Sequence, residues 1–346
     1  MIDLQALSRP PADFDPDAIE LPPLHIGPAL ADWSHQRQEL RRVWLEYLGQ
    51  GPEQVPLEAA IHGEEDLGEV TRTLVSYQVE DGCRVEAYLM APKDDGSFPG
   101  IVVFHPTTDM TIDQPVGLGT REPLQFALNL ALRGYVTITP RNFIWNYRGK
   151  LAGEWTQYME ITELLLRTWP EWTGMGKMVW DGLRAVDYLL TIPAVDESRL
   201  GCIGHSLGAK EALYAMAFDE RLNAGISCEG GVGLPFTNWD APWYLGKQIH
   251  ERQDLEHHQL VALAAPRALL VIGGGAEPTN RPEDKSPGAD RLETWNYLEA
   301  ARPAYELYDA AQNLGYLLHD QGHGLPEKHE GVVYEWFGHF LADNAP

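Results

Sequence analysis

The sequence has little of what usually reveals a protein's compartment. Its 346 residues include only three cysteines, an odd number that is too small for a disulfide framework. No apolar run approaches the roughly 18 residues that a membrane span requires. The amino terminus, which starts at Met1, shows neither the basic segment nor the apolar core of a secretory signal. We therefore expect a soluble, cytoplasmic protein that does not bind a membrane.

Positive charge is also scarce. The chain carries 26 Lys and Arg residues against 51 Asp and Glu residues, which gives a formal net charge of −25. A surface of this kind repels nucleic acid and anionic lipid, and its simplest role is to maintain solubility. We expect no nucleic-acid partner. The composition, with 44% hydrophobic and 22% charged residues, is typical of a globular protein rather than a disordered one.

Signals for a metal or a cofactor are weak. His250, His257 and His258 lie close together, but their surroundings lack a recognisable ligand spacing. The run of glycines at 273–275 lacks the rest of a dinucleotide-binding fingerprint. We therefore expect neither a metal nor an organic cofactor.

The order of apolar patterns predicts an α/β protein. The proline-rich first 30 residues and a helix near 34–48 suggest that residues 1–69 form an arm and a docking helix. A hairpin follows, with strands at 70–79 and 84–90 and Asp81-Gly82 in the turn. Strands and helices then alternate over the rest of the domain, residues 70–346. This predicts a mostly parallel central sheet with helices on both faces and an antiparallel hairpin at its N-terminal edge.

A serine motif occupies one strand-to-helix junction. Gly204-His205-Ser206-Leu207-Gly208 has the pattern G-x-S-x-G, with an apolar strand before it and a helix after it. This turn places the serine hydroxyl above the edge of the sheet, and its strained geometry requires small residues on either side. Ser206 is therefore the candidate nucleophile, whereas a serine that only caps the helix is the alternative.

These residues carry a resemblance to a known family. The motif around Ser206, the run 181–189 and the run 195–201 resemble the α/β-hydrolase superfamily, in particular its dienelactone-hydrolase-like and acetyl xylan esterase-like branch. The run 260–271 is similar to a segment that this branch shares with glucuronoyl esterases. The resemblance covers roughly residues 70 to 342. It implies an α/β-hydrolase fold and a serine esterase mechanism that uses no cofactor.

A serine hydroxyl needs a base and an acid that orients the base. His323, flanked by glycines after the predicted last strand, is the candidate base. Glu277, after the strand 268–272, stands where relatives usually carry aspartate and is the favoured acid. Glu229, at the end of the preceding strand, is the alternative acid, and Asp284 and Asp290 in a polar loop are more distant candidates.

Ester cleavage also needs two backbone N–H groups that stabilise the oxyanion. One is expected from Leu207, which directly follows the nucleophile. The other is expected from Thr107, because Pro106 in the same loop has no N–H, and Thr108 is the next choice. His105 either orients this loop or is a buried, hydrogen-bonded structural histidine, and the structural role is favoured.

Tryptophans concentrate in two insertions. Seven of the 11 lie between Trp145 and Trp243, largely within segments at about 142–176 and 230–258 that follow predicted strands. Because ligands bind at the carboxyl ends of parallel strands, we expect cap elements there that wall the pocket. Most of these rings are expected to attach the cap to the core.

The sequence thus predicts a serine carboxylesterase acting on small to medium carboxylic esters through an acyl-enzyme. Three alternatives stay open: a carbohydrate acetyl esterase, another acyl-transfer, lactone or amide hydrolase with the same residues, and a non-catalytic binding protein. The expected partner is a small-molecule ester, and assembly into a homo-oligomer is left open.

Overall fold

A computed structural model describes residues 2–108, 110–146, 154–275 and 288–342 of the chain. Nine strands form one sheet in the order β1-β2-β3-β5-β4-β6-β7-β8-β9. The strands are β1 (Ala60–Asp66), β2 (Val70–Glu80), β3 (Cys83–Pro92), β4 (Phe98–Phe104), β5 (Val136–Pro140), β6 (Val195–His205), β7 (Leu222–Cys228), β8 (Ala268–Gly273) and β9 (Leu314–Leu318).

The sheet combines two modes of pairing. From β5 to β9 every neighbouring pair is parallel, whereas β1, β2 and β3 pair antiparallel at one edge, and β3 joins β5 in antiparallel register. The sequence prediction of a mostly parallel sheet with an antiparallel N-terminal edge is therefore confirmed.

The edge strand β1 was not predicted. Its sequence, Ala-Ile-His-Gly-Glu-Glu-Asp, has no alternating apolar pattern because almost the whole strand is exposed. Its backbone pairs with β2, from Ala60 opposite Ser76 to Asp66 opposite Thr71. The segment 1–69 therefore contains an edge strand of the sheet in addition to an arm and a helix. Ladder hydrogen bonds, rather than burial, define this strand.

Helices cover both faces of the sheet in the described part of the chain. The α-helices are α1 (Leu4–Leu7), α2 (Leu30–Leu48), α3 (Phe126–Ala131), α4 (Phe143–Asn146), α5 (Glu154–Thr168), α6 (Gly174–Leu189), α7 (Leu207–Phe218), α8 (His258–Ala264), α9 (Thr294–Glu306) and α10 (Glu327–Phe340). Short helical turns are Thr111–Asp113, Gln114–Leu118, Glu122–Leu124, Leu234–Phe236, Lys247–Glu251 and Ala311–Asn313. None of the helices described has the length and apolar character to cross a membrane.

Helix α7 is central to the site. All of its residues are buried, and it packs against both β6 and β7. Small residues such as Ala209 and Ala212 let the helix approach the sheet closely. Because β6 leads directly into α7, the junction at Ser206 is held on both sides by the buried core.

Helix α2 lies on the same side of the molecule as α8. It buries Trp33, Trp44 and Leu48, and the indole N–H of Trp44 donates to Gln259 Oε1 on α8 at 2.8 Å. Arg41 donates to the carbonyl of Phe218 at the end of α7. The N-terminal region is thus attached to the core by buried tryptophans and by specific hydrogen bonds.

Candidate active site

Ser206 occupies a strained turn between β6 and α7. Its backbone has φ +58° and ψ −114°, which is a region that residues with a side chain rarely adopt and that costs about 1–3 kcal/mol. The Ser206 N–H donates to the carbonyl of Cys228 at 2.9 Å. This bond ties the turn to the end of the neighbouring strand β7, so that the hydroxyl lies above the carboxyl edge of the sheet.

The two glycines of the motif are required by close backbone contacts. A Cβ atom on Gly204 would lie 2.1 Å from the carbonyl oxygen of Gly208, and one on Gly208 would lie 2.3 Å from the carbonyl oxygen of Phe104. Both distances are far below van der Waals contact. The predicted reason for these glycines is therefore visible in the structure.

His323 lies beside the serine hydroxyl. Its Nε2 atom is 3.0 Å from Ser206 Oγ, and its Nδ1 atom is 3.4 Å from Glu229 Oε2. The histidine is 25% exposed, whereas the glutamate side chain is fully buried. The structure thus brings a hydroxyl, an imidazole and a carboxylate into one line, and the carboxylate is the one that the sequence analysis ranked second.

The favoured acid of the sequence analysis, Glu277, and one of its two distant candidates, Asp284, lie outside the described residues. Asp290, the other distant candidate, is fully buried, but its carboxylate accepts the N–H groups of Gly231 and Val232 at 2.8 and 2.6 Å. It also accepts the hydroxyl of Thr294. Asp290 therefore braces the turn that follows β7.

Glu229 in turn accepts hydrogen bonds from the segment that contains Asp290. Its Oε2 atom accepts the Ala289 N–H at 2.6 Å and the Asp290 N–H at 3.4 Å. Each of the two carboxylates, Glu229 and Asp290, thus accepts backbone N–H groups from the segment that carries the other one. We name this arrangement the carboxylate clasp. Glu229 itself has φ +63°, so the clasp holds a second strained residue at the edge of the sheet.

Burial dominates the electrostatics of Glu229. Desolvation raises its pKa from the ordinary value of 4.5 to about 7, while the contact with His323 opposes the rise and the charge of Asp290 adds to it. A carboxylate in this environment interacts strongly with a nearby imidazolium, since little water screens the pair. The arrangement can hold the ring of His323 and stabilise the positive charge it gains.

The expected oxyanion donors lie at the same place. Leu207 is the first residue of α7, and Thr107 lines the cavity that contains Ser206 and His323. His105 is buried and hydrogen-bonded through both ring nitrogens, to the Pro106 carbonyl and the Asn142 N–H. The structural reading of His105 is therefore confirmed.

The cavity at Ser206 has a volume of about 320 Å³. It combines aromatic walls with several polar groups. Its lining residues are Thr107, Tyr158, Ser206, Lys210, Glu229, Gly230, Phe236, Thr237, Asn238, Trp243, Tyr244, Gly288, Ala289, Arg291 and His323.

Lys210 is a lining residue that the sequence analysis missed. It is buried, donates to the hydroxyl of Thr237, and places its ammonium group 3.6 Å from the centre of the Trp239 ring. Burial lowers its pKa well below 10.5. The sequence could have indicated Lys210 as a lining residue, because it lies four residues after Ser206, which is one helical turn along α7 and hence on the same face.

The tryptophans divide between two roles. Trp243 lines the cavity at Ser206, and Trp145 packs edge-on against His105 and Tyr158. Trp172 and Trp180 instead line a larger cleft of about 850 Å³ between α2 and α6. The insertions after β5 and β7 therefore contribute cavity walls, but several of their indoles pack elsewhere.

A family model for the dienelactone hydrolase family matches residues 85–257, half of the chain. The chain belongs to the dienelactone hydrolase family. This family region contains Ser206 and Glu229, while His323 lies beyond it.

Curated relatives of the chain are named as esterases. "Carbohydrate esterase MZ0003" from an unknown prokaryotic organism is 25% identical over 185 residues, which are 46% of this chain and 43% of that protein. "4-O-methyl-glucuronoyl methylesterase 1" from Sodiomyces alcalophilus is 27% identical over 169 residues, 41% of this chain and 32% of that protein. The matched segments span less than half the length of either relative. Both names describe ester hydrolases.

Solved structures of similar proteins share the fold over most of the chain. A glucuronoyl esterase from Solibacter usitatus matches with a TM-score of 0.70 and 20% identity, covering 94% of this chain and 99% of that one. An acetyl xylan esterase from Paenibacillus sp. R4 matches with a TM-score of 0.55 and 17% identity, covering 93% and 97%. At this level of identity the likeness shows the α/β-hydrolase fold, which confirms the predicted fold class.

Proposed function

We propose that this member of the dienelactone hydrolase family is a serine carboxylesterase that cleaves small to medium carboxylic esters through an acyl-enzyme. The observation that carries the proposal is the line from Ser206 Oγ to His323 Nε2, at 3.0 Å, and from His323 Nδ1 to Glu229 Oε2, at 3.4 Å. A hydroxyl, an imidazole and a buried carboxylate in this order make a nucleophile from an otherwise unreactive alcohol.

Acylation begins when Ser206 Oγ attacks the ester carbonyl carbon and its proton passes to His323 Nε2. The carbonyl oxygen becomes an oxyanion, and the N–H groups of Leu207 and Thr107 are the proposed donors to it. When the tetrahedral intermediate collapses, the bond to the alcohol oxygen breaks and His323 returns the proton to that oxygen. The alcohol leaves, and the acyl group remains on Ser206.

Deacylation repeats these steps with water. His323 takes a proton from water as its oxygen attacks the acyl carbon, and it then returns a proton to Ser206 Oγ as the carboxylic acid leaves. Throughout, Glu229 holds the ring in the tautomer that leaves Nε2 free to accept, and it stabilises the imidazolium. We assign the acid to Glu229 because its carboxylate faces His323 Nδ1 at 3.4 Å.

The size of the cavity supports a small substrate. A volume of about 320 Å³ lies at the lower end of the range for ligand pockets. The walls formed by Tyr158, Phe236 and Trp243 can contact an apolar acyl chain or the face of a sugar ring.

A carbohydrate ester is the second candidate substrate. Its support is that curated relatives are named as a carbohydrate esterase and as glucuronoyl methylesterases. Lactone or amide cleavage and acyl transfer use the same chemistry with a different leaving or accepting group. Product analysis with water and competing alcohols separates transfer from hydrolysis.

The experiment that tests the function is hydrolysis of p-nitrophenyl acetate, butyrate and octanoate by the wild type and by Ser206→Ala. We expect turnover that peaks at a short acyl chain and falls by about 10⁵- to 10⁶-fold in the variant, as in other serine hydrolases. Ser198→Ala is the matched control, because Ser198 is exposed near the start of β6 and its hydroxyl donates to the carboxylate of Asp196. Equal turnover by Ser206→Ala and the wild type would refute the proposal.

The alternative of a non-catalytic binding protein predicts a different result. A fluorophosphonate probe should then fail to label folded wild-type protein, and no ester or acetylated sugar should be cleaved. Cytoplasmic location is expected from the sequence, whereas self-association is left open by it. Fractionation tests the first and sedimentation the second.

A further inference from the structure

A buried chain of hydrogen bonds connects helix α7 to the loop after β4. Glu211 Oε1 accepts from Asn142 Nδ2 at 3.0 Å, and the backbone N–H of Asn142 donates to His105 Nε2 at 3.0 Å. The other ring nitrogen, His105 Nδ1, is 2.8 Å from the carbonyl oxygen of Pro106. All three linking side chains are buried: His105, Asn142 and Glu211.

The partners of His105 determine where its proton lies. A backbone N–H can only donate, so Nε2 must accept and carries no hydrogen. In the neutral ring the hydrogen is then on Nδ1, from which it donates to the Pro106 carbonyl. Burial lowers the pKa of His105 to about 4, so the ring keeps this neutral form near pH 7.

The hydrogen bond from His105 to the Pro106 carbonyl also fixes the orientation of the Thr107 N–H. The carbonyl of Pro106 and the N–H of Thr107 belong to one peptide unit, and in a trans unit the two groups point in opposite directions. Within the described part of the chain the one cis peptide bond is Ala265-Pro266. Holding the Pro106 oxygen against the buried ring therefore turns the Thr107 N–H away from it. Thr107 lines the cavity that contains Ser206.

The ring itself is fixed on several sides. Trp145 packs edge-on against it, with ring centres 5.1 Å apart. Asn142, which donates to the ring, accepts the Ile144 N–H at 3.0 Å through Oδ1 and so is tied to the start of α4. Glu211 lies one helical turn after Leu207 on α7. Helix α7 thus carries one proposed oxyanion donor directly and holds the other through Asn142 and His105.

We propose that His105 is a positioning residue that aims the Thr107 N–H at the oxyanion, with Asn142 and Glu211 holding the ring. This inference rests on the proposed function, since it assigns a part of the same reaction. It goes further because it names the residues that fix the position of the Thr107 N–H relative to the Leu207 N–H. It also gives the buried His105 a role in catalysis in addition to its structural one.

Two substitutions test the hydrogen bonds of the two His105 ring nitrogens separately. His105→Asn keeps a donor near the position of Nδ1 and can still hold the Pro106 carbonyl. His105→Gln keeps an acceptor near Nε2 but offers no group at the position of Nδ1. We expect kcat to fall by about 10²-fold in His105→Gln, the usual effect of losing one oxyanion donor, with KM changed less than about threefold. His105→Asn should recover most of that loss.

The readout that distinguishes positioning from stability is binding of a transition-state analogue. A boronic acid forms a tetrahedral adduct on the serine, so its inhibition constant should rise in His105→Gln by the same factor by which kcat/KM falls. His258→Gln is the matched control, because His258 is equally buried but lies on α8. It should lower thermal stability while leaving the inhibition constant unchanged.

If His105→Gln does not fold, as judged by circular dichroism, Glu211 carries the same test. Glu211→Gln keeps the acceptor for Asn142, whereas Glu211→Leu removes it, so the proposal requires the leucine variant to lose more kcat at equal KM. Equal kcat and equal boronic acid affinity in folded His105→Gln and wild type, or in the two Glu211 variants, would overturn the proposal.

Failure of this inference is distinguishable from failure of the proposed function. If the wild type cleaves no ester but is labelled by a fluorophosphonate, the proposed function fails. The labelling rate then tests the positioning role, since the phosphonyl oxygen uses the same donors. A rate about 10²-fold lower in His105→Gln supports the role, and an unchanged rate refutes it.

Discussion

Two turns at the carboxyl edge of the sheet solve the same problem by different means. Ser206 after β6 and Glu229 after β7 both have positive φ angles, +58° and +63°. The serine turn is held by backbone contacts so close that Gly204 and Gly208 cannot carry side chains. The glutamate turn is held by the carboxylate clasp, in which Glu229 and Asp290 accept backbone N–H groups across 60 residues of sequence.

The two turns differ in which residues specify their conformation. The serine turn is specified by the two glycines of its own five-residue motif, which leave room for close backbone contacts, one of them with Phe104 on β4. A turn built on buried carboxylates is specified by distant residues, and each carboxylate that holds it is also an electrostatic element. Strain at the nucleophile and strain at the acid should therefore respond differently to mutation and to pH.

The largest expected effect comes from removing the charge of the acid. Glu229→Gln should lower kcat by about 10³- to 10⁴-fold, because a neutral amide neither stabilises the imidazolium nor fixes the active tautomer. Steady-state kinetics with p-nitrophenyl acetate measure this, beside Glu277→Gln as the matched carboxylate. A greater loss in Glu277→Gln than in Glu229→Gln would show that the acid lies in the other segment.

The serine turn should break by steric strain. Gly204→Ala places a Cβ 2.1 Å from the Gly208 carbonyl oxygen, and we expect a loss of about 3–5 kcal/mol in the free energy of unfolding, since overpacking and φ/ψ strain combine here. Urea denaturation checks this. Gly331→Ala is the control, because a Cβ there meets nothing within 4 Å, and equal stability of the two variants would contradict the account.

The glutamate turn should instead show a pH-dependent cost. The pKa of Glu229 is raised from 4.5 to about 7, so the folded protein binds more protons than the unfolded chain between these values, and stability falls as the pH rises through that window. Glu229→Gln removes this cost. At about 1.4 kcal/mol per pKa unit, the variant should gain up to about 3 kcal/mol relative to wild type between pH 4.5 and pH 8.

Urea denaturation at pH 4.5, 6 and 8 measures this difference. His105 and His258 act in the opposite sense in both proteins, because burial lowers the pKa of each from 6.5 to about 4. Their contribution to stability is lost as the pH falls through this range, and it cancels in the comparison of variant with wild type. A difference that stays constant with pH would contradict the raised pKa of Glu229.

The smallest expected effect concerns the other half of the clasp. Asp290→Asn leaves one side-chain oxygen for the N–H groups of Gly231 and Val232, so we expect a loss of about 1 kcal/mol in stability and a fall in kcat of about tenfold through displacement of Glu229. Differential scanning calorimetry and kinetics check both. Asp94→Asn, in an exposed loop, is the control. Equal stability and equal kcat of Asp290→Asn and this control would show that the carboxylate clasp does not hold Glu229.

The sequence predicted what is locally encoded. The strand, turn and helix around Ser206 were predicted, because glycine spacing and apolar periodicity both lie within this segment. The position of His323 followed from the order of elements in the fold. The edge strand β1 was missed because an exposed strand carries no apolar alternation.

The contacts that complete the site were not legible in the sequence. The choice between Glu229 and Glu277 depends on which carboxylate faces His323 Nδ1, and no local pattern contains that geometry. The link of Glu211 through Asn142 to His105 joins three separate segments, and each residue alone reads as an ordinary polar side chain. Long-range polar contacts of this kind emerge only when the chain is folded.

The central claim is that Ser206 forms the covalent intermediate. The most direct test is to quench the protein with acid during turnover of p-nitrophenyl acetate and to map the peptides by mass spectrometry. The account predicts an acetyl group on the peptide that contains Ser206, with faster accumulation in wild type than in Glu229→Gln and none at this site in Ser206→Ala. An acetyl group confined to other residues, or turnover with no adduct on Ser206 under any quench time, would contradict it.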